Sequence, residues 1–412
     1  MFKIDVKKYE AVIGAIGNIM TWYDFALVMP LTVVLMSHFF PEDSSAMVKA
    51  LGGLIVSMGL FSRPFGAMIF GPIGDKLGRQ KAISLSVLLM AIPTVIIGLT
   101  PSYEKIGVCA PLIIIICRIL QGISMGGEYT SAMVHLVEKA PSDKRGFYGS
   151  WTDVGNQVGV LLSGQSVIWL YSFFSEDAVY SFAWRIPFLC GILLVPFAFL
   201  VPKQEQKKKD ETNKPSVLSL LIEHKTEVFC TMAITAFSAI GFYTLWTFLP
   251  YYLVSEQLMS LDESAFCGVM ASLMSIVSIF GGGYLSDKYG RKPFLLWGII
   301  GTLIVCSVMF ILHMKSFYYW LVLELLFGFF LGLYYASRAA FFSEAFPSQV
   351  RCTAVSVSLS FAQAVFGGLT PVVMLWLIDL PYHVVILPIL ITSIAAIVAL
   401  SLIEDRTGKP LL

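Results

Sequence analysis

The chain has 412 residues, 57% of them hydrophobic and only 13% charged, with a mean hydropathy of +0.78. A soluble protein carries about 25% charged residues, so this balance excludes an ordinary soluble domain and points to a polytopic membrane protein. A net charge of +1 suggests no nucleic-acid partner.

The apolar runs predict about twelve membrane-spanning helices, each near the ~20 residues that a bilayer requires. Their expected cores are 12–39, 48–70, 82–100, 107–137, 147–172 and 185–201, then 227–253, 265–285, 294–312, 318–345, 353–378 and 384–403. Lys3, Lys7 and Lys8 precede the first run, which is too long for the apolar part of a cleavable signal peptide. That first span carries Trp22-Tyr23-Asp24-Phe25, and helical spacing puts Gly17, Thr21 and Asp24 on one face. Ionisable groups inside spans are costly and mark functional sites by default. The second span adds Arg63, just before Pro64.

The second span leads into Gly71-Pro-Ile-Gly-Asp75-Lys76-Leu-Gly78-Arg79-Gln-Lys81, a short basic loop. Gly71 and Gly78 allow a tight turn and close helix approach. Lys76 and Arg79 hold the loop on the cytoplasmic side, and Asp75 suits the N-terminus of a neighbouring helix. The fourth span contains Arg118-Ile-Leu-Gln121-Gly122, then Ser124-Met-Gly-Gly-Glu128-Tyr129. Arg118, Gly122, Met125 and Tyr129 form a stripe, and Gly122 with Gly126 makes a small-residue packing surface. A fixed guanidinium suits a carboxylate, held bidentately. The carboxylate can belong to a substrate or to an internal ion pair. The fifth span opens on Trp151-Thr-Asp153-Val-Gly155-Asn156-Gln157, a polar stripe that should line a cavity.

Residues 202–225 contain the one long polar run and read as a linker between six-helix bundles at 1–201 and 226–412. The second bundle repeats the first. Gly283-Tyr-Leu-Ser-Asp287-Lys-Tyr-Gly290-Arg291-Lys292 restates the basic loop, and Glu344-Ala-Phe-Pro347-Ser-Gln-Val-Arg351 restates Glu138-Lys-Ala-Pro141-Ser-Asp-Lys-Arg145. Internal repeats of this kind are typical of transporters. The tenth span holds Glu324 and Arg338 on roughly one face, with Gly328 and Gly332 between them. Trp22, Tyr23, Tyr129, Trp151, Tyr243 and Trp246 lie near polar span positions, where aromatic faces can cage a quaternary ammonium group. Most other aromatics read as lipid-facing.

Lys and Arg concentrate in the loops that share a side with both termini and the linker, so both termini are expected in the cytoplasm. Cys109, Cys117, Cys190, Cys230, Cys267, Cys306 and Cys352 are dispersed without ligand spacing, so neither a disulfide framework nor a metal is expected. No cofactor and no nucleotide-binding motif is expected either; the glycine-rich loops lack the Gly-x-x-x-x-Gly-Lys-Ser/Thr pattern of a phosphate cradle.

At the paired Gly-x-x-x-Asp-Lys-x-Gly-Arg loops and Arg118-x-x-Gln121-Gly122, the sequence resembles the major facilitator superfamily over essentially its whole length. Gly17-Asn18 with Trp22–Phe25, Ser124–Thr130, Arg145-Gly-Phe-Tyr-Gly-Ser-Trp151 and Trp184-Arg-Ile-Pro-Phe188 are similar to its metabolite:proton symporters, and most of all to bacterial proline/glycine betaine transporters. The resemblance implies an all-α, twelve-helix fold in the bacterial inner membrane, monomeric and not an enzyme. Its activity would be inward symport of a zwitterionic osmolyte with a proton. Two features depart from those relatives: this chain lacks a long C-terminal coiled coil that some carry, and Thr21 stands where Glu is common. Relatives with similar motifs carry citrate, 2-oxoglutarate or shikimate. An organic-acid symporter, an exporter of a drug or siderophore-like metabolite, and a transport-like sensor therefore stay open.

These residues divide by role. Arg118, Tyr129, Gln157, Trp22, Tyr23, Trp151 and Tyr243 are the candidate substrate contacts. A proton carrier must gain and lose its proton, which Arg does not do, leaving Asp24, Glu128 and Asp153, all in the N-terminal half. Burial favours a neutral carboxyl and a nearby guanidinium favours an ionised one, so a carboxyl that meets Arg118 in one conformation only would change its proton affinity during a cycle. Gly71, Asp75, Lys76, Gly78, Arg79, Asp287 and Arg291 form the expected gating motif.

Overall fold

The computed structural model describes residues 6–40, 58–193, 196, 217–377 and 382–412. Most of the expected linker, the start of the span at 48–70 and the end of the span at 185–201 lie outside them. Among the described residues the fold is helical, without strands. Eight helices are long and apolar enough to cross a membrane, and each coincides with an expected span.

The principal helices are α1 (Val6–Ala26), α2 (Thr32–Phe39), α3 (Arg63–Leu77), α4 (Arg79–Leu99), α5 (Cys109–Lys139) and α6 (Arg145–Phe173). They are followed by α7 (Lys225–Tyr243), α8 (Leu261–Tyr289), α9 (Arg291–Leu312), α10 (Phe317–Glu344), α11 (Arg351–Ala362) and, after a further helix at Gly368–Leu377, α12 (Leu387–Leu402). Two compact units result: 1–132 with 155–208, and 133–154 with 209–412. The division falls inside α5 and α6, so the segment 133–154 packs with the second unit.

The repeat seen in sequence is also a repeat of backbone geometry. α3 and α4 meet at Gly78, with φ of 99°, and α8 and α9 meet at Gly290, with φ of 95°. Both values favour glycine, since a Cβ would clash in this region. The small-residue seams recur as well. A Cβ on Gly122 or Gly126 would lie 2.0 Å or 2.1 Å from the carbonyls of Gly59 and Arg63. On α10, a Cβ on Gly328 would lie 2.3 Å from the carbonyl of Ala271, and one on Gly332 would lie 1.9 Å from the Ser278 hydroxyl. Each glycine pair therefore sets backbone-to-backbone contact between neighbouring helices.

In the first unit, the motif Trp184–Phe188 closes an aromatic core. Trp184 is fully buried and packs edge-on against Phe39 and Phe188, with ring centroids 5.6 Å and 6.0 Å away. Arg185 stacks its guanidinium 4.4 Å over Trp184 and donates to the carbonyls of Gly98 and Thr100 at 2.8 Å and 2.7 Å, satisfying the C-terminal end of α4. In the second unit α8 begins with a reciprocal cap: Ser260 Oγ accepts from the Glu263 N–H, and Glu263 accepts from the Ser260 N–H.

The start of α9 has no side-chain cap of its own, because Gly290 occupies that place. Asp405, after α12, supplies one: its Oδ2 accepts from the N–H groups of Arg291 and Lys292, each at 3.1 Å. Burial pushes the Asp405 carboxyl up, but hydrogen bonds from Thr407 and from the backbone of Lys292, Thr407 and Arg291 outweigh it and hold the group below its ordinary value. A depressed carboxyl stabilises the fold at neutral pH, and the contribution is lost as pH falls through the folded-state value. Asp405→Ala should lower stability by about 1 kcal/mol and remove that part of the acid dependence. Thermal melts in detergent across pH test both.

Candidate functional site

Within the first unit, α1, α4 and α5 bring buried polar groups together along a chain. Arg118, fully buried, donates through Nη1 to Gln121 Oε1 at 2.8 Å and to the Phe25 carbonyl at 3.2 Å. Its guanidinium lies 4.6 Å over the Phe25 ring. Gln121 Nε2 then donates to Thr94 Oγ1 at 2.8 Å, and the Thr94 hydroxyl donates to the Met90 carbonyl at 3.0 Å. The buried Asp24 carboxyl lies beside Thr94, both close to where a Cβ on Gly191 would stand, and no donor reaches either of its oxygens. The sequence pointed to Asp24 and Arg118 separately; the structure brings them to neighbouring places around Thr94 and Gln121. Thr94 was missed, because a single threonine after Pro93 in an apolar run carries no signal.

Glu128 lies near the first helix, with a carboxyl oxygen 3.9 Å from where a Cβ on Gly17 would stand. It is fully buried, no donor reaches either carboxyl oxygen, and Arg63 is its charged neighbour. The Arg63 guanidinium lies 5.8 Å from the Trp22 ring. Trp22, Tyr129 and Gln157 are buried in this unit, and Tyr23 is half-buried. α1 and α6 meet closely at Gly159, where a Cβ would lie 2.4 Å from the Ile19 carbonyl.

The second unit holds a different charge arrangement. Asp153 Oδ1, on α6, forms a buried ion pair with Arg338 Nη2, on α10. The Arg338 guanidinium also lies 4.6 Å over the Tyr335 ring, whose hydroxyl donates to the Ser238 carbonyl at 3.3 Å. Of the three carboxyl candidates, Asp153 is thus the one in direct contact with an arginine, and that arginine is Arg338. Trp151 packs edge-on against Phe280 at 5.0 Å. Tyr243 is buried, its ring 2.7 Å from where a Cβ on Gly367 would stand. Trp246 lies 4.9 Å from Phe242 and donates to Ser272 Oγ at 2.8 Å. The backbone at Thr244–Phe248 and at Gln363–Gly367 makes π-helical turns, a frequent feature of functional helices.

The gating motif forms a charge network at the start of α6. Asp287 accepts from the N–H groups of Gly146 and Phe147 at 2.8 Å and 2.9 Å, so it caps that helix and complements its dipole. This is the role expected of an aspartate at this place in the motif. Asp75 itself pairs with Arg79 at 2.5 Å, while Lys76 is exposed. Arg291, fully buried, binds Asp287 at 2.7 Å and Glu344 at 3.4 Å, and Arg351 binds Glu138 at 2.6 Å. Glycine at 146 makes room, since a Cβ there would lie 2.4 Å from Arg291 Nη1. Gly71 is buried within α3.

Residues 11–205 match the family described as Sugar (and other) transporter, and residues 231–411 match the Major Facilitator Superfamily. A Staphylococcus aureus (strain COL) protein provisionally named a proline/betaine transporter is 32% identical over 91% of this chain and 83% of its own. The proline/betaine transporter of Escherichia coli (strain K12) is 30% identical over 99% of this chain and 85% of its own. The chain belongs to the major facilitator superfamily. Within it, the chain is similar over most of its length to bacterial proline/betaine transporters. The structure of the proton:xylose symporter XylE bound to 6-bromo-6-deoxy-D-glucose covers 98% of this chain and 97% of its own, with a TM-score of 0.81 at 16% identity. The fold is accordingly the superfamily's, with twelve helices in two six-helix bundles. Its members are transporters, so the chain is a multi-pass inner-membrane protein that handles a small-molecule substrate.

Proposed function

We propose that the protein imports a small zwitterionic osmolyte, such as proline or glycine betaine, together with a proton by alternating access. The six-helix halves 1–201 and 226–412, joined by the cytoplasmic linker 202–225, rock about a midplane site. One observation carries the reading: the bonded chain Arg118–Gln121–Thr94 ends beside the buried Asp24 carboxyl, so a carboxyl able to titrate lies close to a guanidinium able to grip a carboxylate. The names of the relatives supply the substrate class. Trp22, Tyr23, Tyr129, Trp151 and Tyr243 offer aromatic faces suited to a quaternary or secondary ammonium, and Gln157 adds a polar contact.

Arg63 and Arg118, both buried in the first unit, favour a second reading, symport of an organic acid. A net-negative substrate should depend on both cations, a betaine on one. Uptake of radiolabelled glycine betaine, proline, citrate, 2-oxoglutarate and shikimate in proteoliposomes, with and without a proton gradient, separates the two. Gradient-driven accumulation of the zwitterions alone supports the proposal. Accumulation of the acids alone supports the second reading, and no flux of any substrate defeats both. The same reading places both termini in the cytoplasm, so periplasmic labelling of a cysteine placed at Lys208 would overturn that orientation. The unit acts as a monomer, which mass measurement of the detergent-solubilised protein checks.

A further inference from the structure

The two glycine seams fix a register between the halves. Aligning Gly122 with Gly328 and Gly126 with Gly332 also aligns Arg118 with Glu324, each one helical turn before its seam. Arg118 donates through Nη1 to two acceptors, Gln121 Oε1 and the Phe25 carbonyl. Glu324 is buried to the same extent, yet no donor reaches either of its carboxyl oxygens.

Among the described residues no cation bonds it. α8 packs along α10 in the register Gly328–Ala271 and Gly332–Ser275, which sets the buried Cys267 against Glu324. The cations of the other described helices packed on α10 are Lys225 on α7, Arg291 and Lys292 on α9 and Arg351 on α11, and none donates to Glu324. Arg338, on α10 itself, lies about 21 Å farther along the axis at the rise of an α-helix. A bare carboxylate in such a place is strongly disfavoured, whereas a neutral acid is tolerated.

Polar residues occupy the turns of α8 that precede it. Asp262 and Glu263 are exposed in the first turn of α8. Ser264 follows, buried with its hydroxyl unbonded, and Cys267 comes three residues later on the same face. We propose that Glu324 is a second proton-binding site, in the second unit between α8 and α10, reached from the exposed first turn of α8 past Ser264 and Cys267. Binding is simple protonation: one proton from water joins a carboxylate oxygen, no other bond changes, and the acid returns it to water. Its use in the cycle rests on the proton-coupled reading above; its protonation does not.

The test is infrared titration of the purified full chain in lipid. The carbonyl band of a protonated carboxylic acid should be present near neutral pH, shift on exchange into D2O, and be missing from Glu324→Gln. If Glu324→Gln fails to fold, Glu324→Asp should keep a band at altered frequency. A band that does not change in either variant overturns the proposal, as does one that emerges only when sodium is removed, which would make Glu324 a cation ligand. Substrate counterflow measured alongside should, in Glu324→Gln, lose one limb of its pH profile while flux at the optimum stays within about twofold. An unchanged profile with the band lost would confine Glu324 to a fixed neutral acid and overturn its role as an exchanging site. Absence of flux for every substrate, with the band assigned and exchanging, would defeat the symport reading and leave the proton site standing.

Discussion

Arg338→Met should be among the most destabilising single substitutions in this protein, costing about 3–5 kcal/mol. The change removes one partner of a buried pair and leaves the Asp153 carboxylate without its guanidinium, among residues that exclude water. It also removes the cation stacked over Tyr335, which adds roughly 0.5–2 kcal/mol. Asp153→Asn should cost less, because a neutral amide still accepts from Arg338. The decisive variant is the double one, Arg338→Met with Asp153→Leu, which removes both charges and should recover most of the lost stability. Unfolding followed by temperature in detergent, with the wild type, Arg338→Met, Asp153→Leu and the double variant compared as a cycle, gives the coupling between the two residues. Additive losses would show that the pair contributes nothing as a pair. Transport should separate from stability in the double variant: a fold restored without flux would make the pair part of the transport machinery rather than a brace.

Much of the fold was legible before any coordinates, for reasons that are physical rather than statistical. A span must be long and apolar, so composition alone located α4, α5 and α7 to α12 within a few residues. Gly78 and Gly290 were legible as turns because only glycine takes those φ values readily. The seams at Gly122, Gly126, Gly328 and Gly332 were legible because small residues four apart serve close helix packing. What stayed hidden is pairing across the chain. Asp153 looked like a free titratable group of the N-terminal half, since nothing in its neighbourhood in sequence announces Arg338. Thr94 and the Phe25 carbonyl, which complete the surroundings of Arg118, are ordinary membrane-helix groups until the helices are brought together. Asp287 and Asp75 read as equivalents, and each pairs with the arginine four residues on, Arg291 and Arg79; that Asp287 receives two backbone N–H groups at the start of α6 depends on residues far away in sequence.

Coupling should reside in the first unit, at Glu128 or Asp24. The two carboxyls differ in surroundings. Asp24 lies beside Thr94, the end of a hydrogen-bonded chain that leads through Gln121 to Arg118. A proton gained or lost there changes the charge felt by a guanidinium suited to a substrate carboxylate. Glu128 has no donor on either oxygen and faces Arg63, so its ionised form depends on that one cation. Asp24→Asn and Glu128→Gln keep size and remove the titration. A gradient of one pH unit supplies about 1.4 kcal/mol per proton, enough for tenfold accumulation at one proton per substrate. The variant that neutralises the carrier should therefore fall to an accumulation ratio near one under the same gradient, while counterflow exchange of labelled for unlabelled substrate continues. Asp24→Asn should in addition weaken substrate binding, because it alters the surroundings of Thr94, where the chain from Arg118 ends; Glu128→Gln should leave binding near its original strength. If both variants still accumulate substrate tenfold per pH unit, neither carboxyl is the carrier, and the same measurement on Asp153→Asn and with sodium in place of the proton gradient identifies what drives uptake.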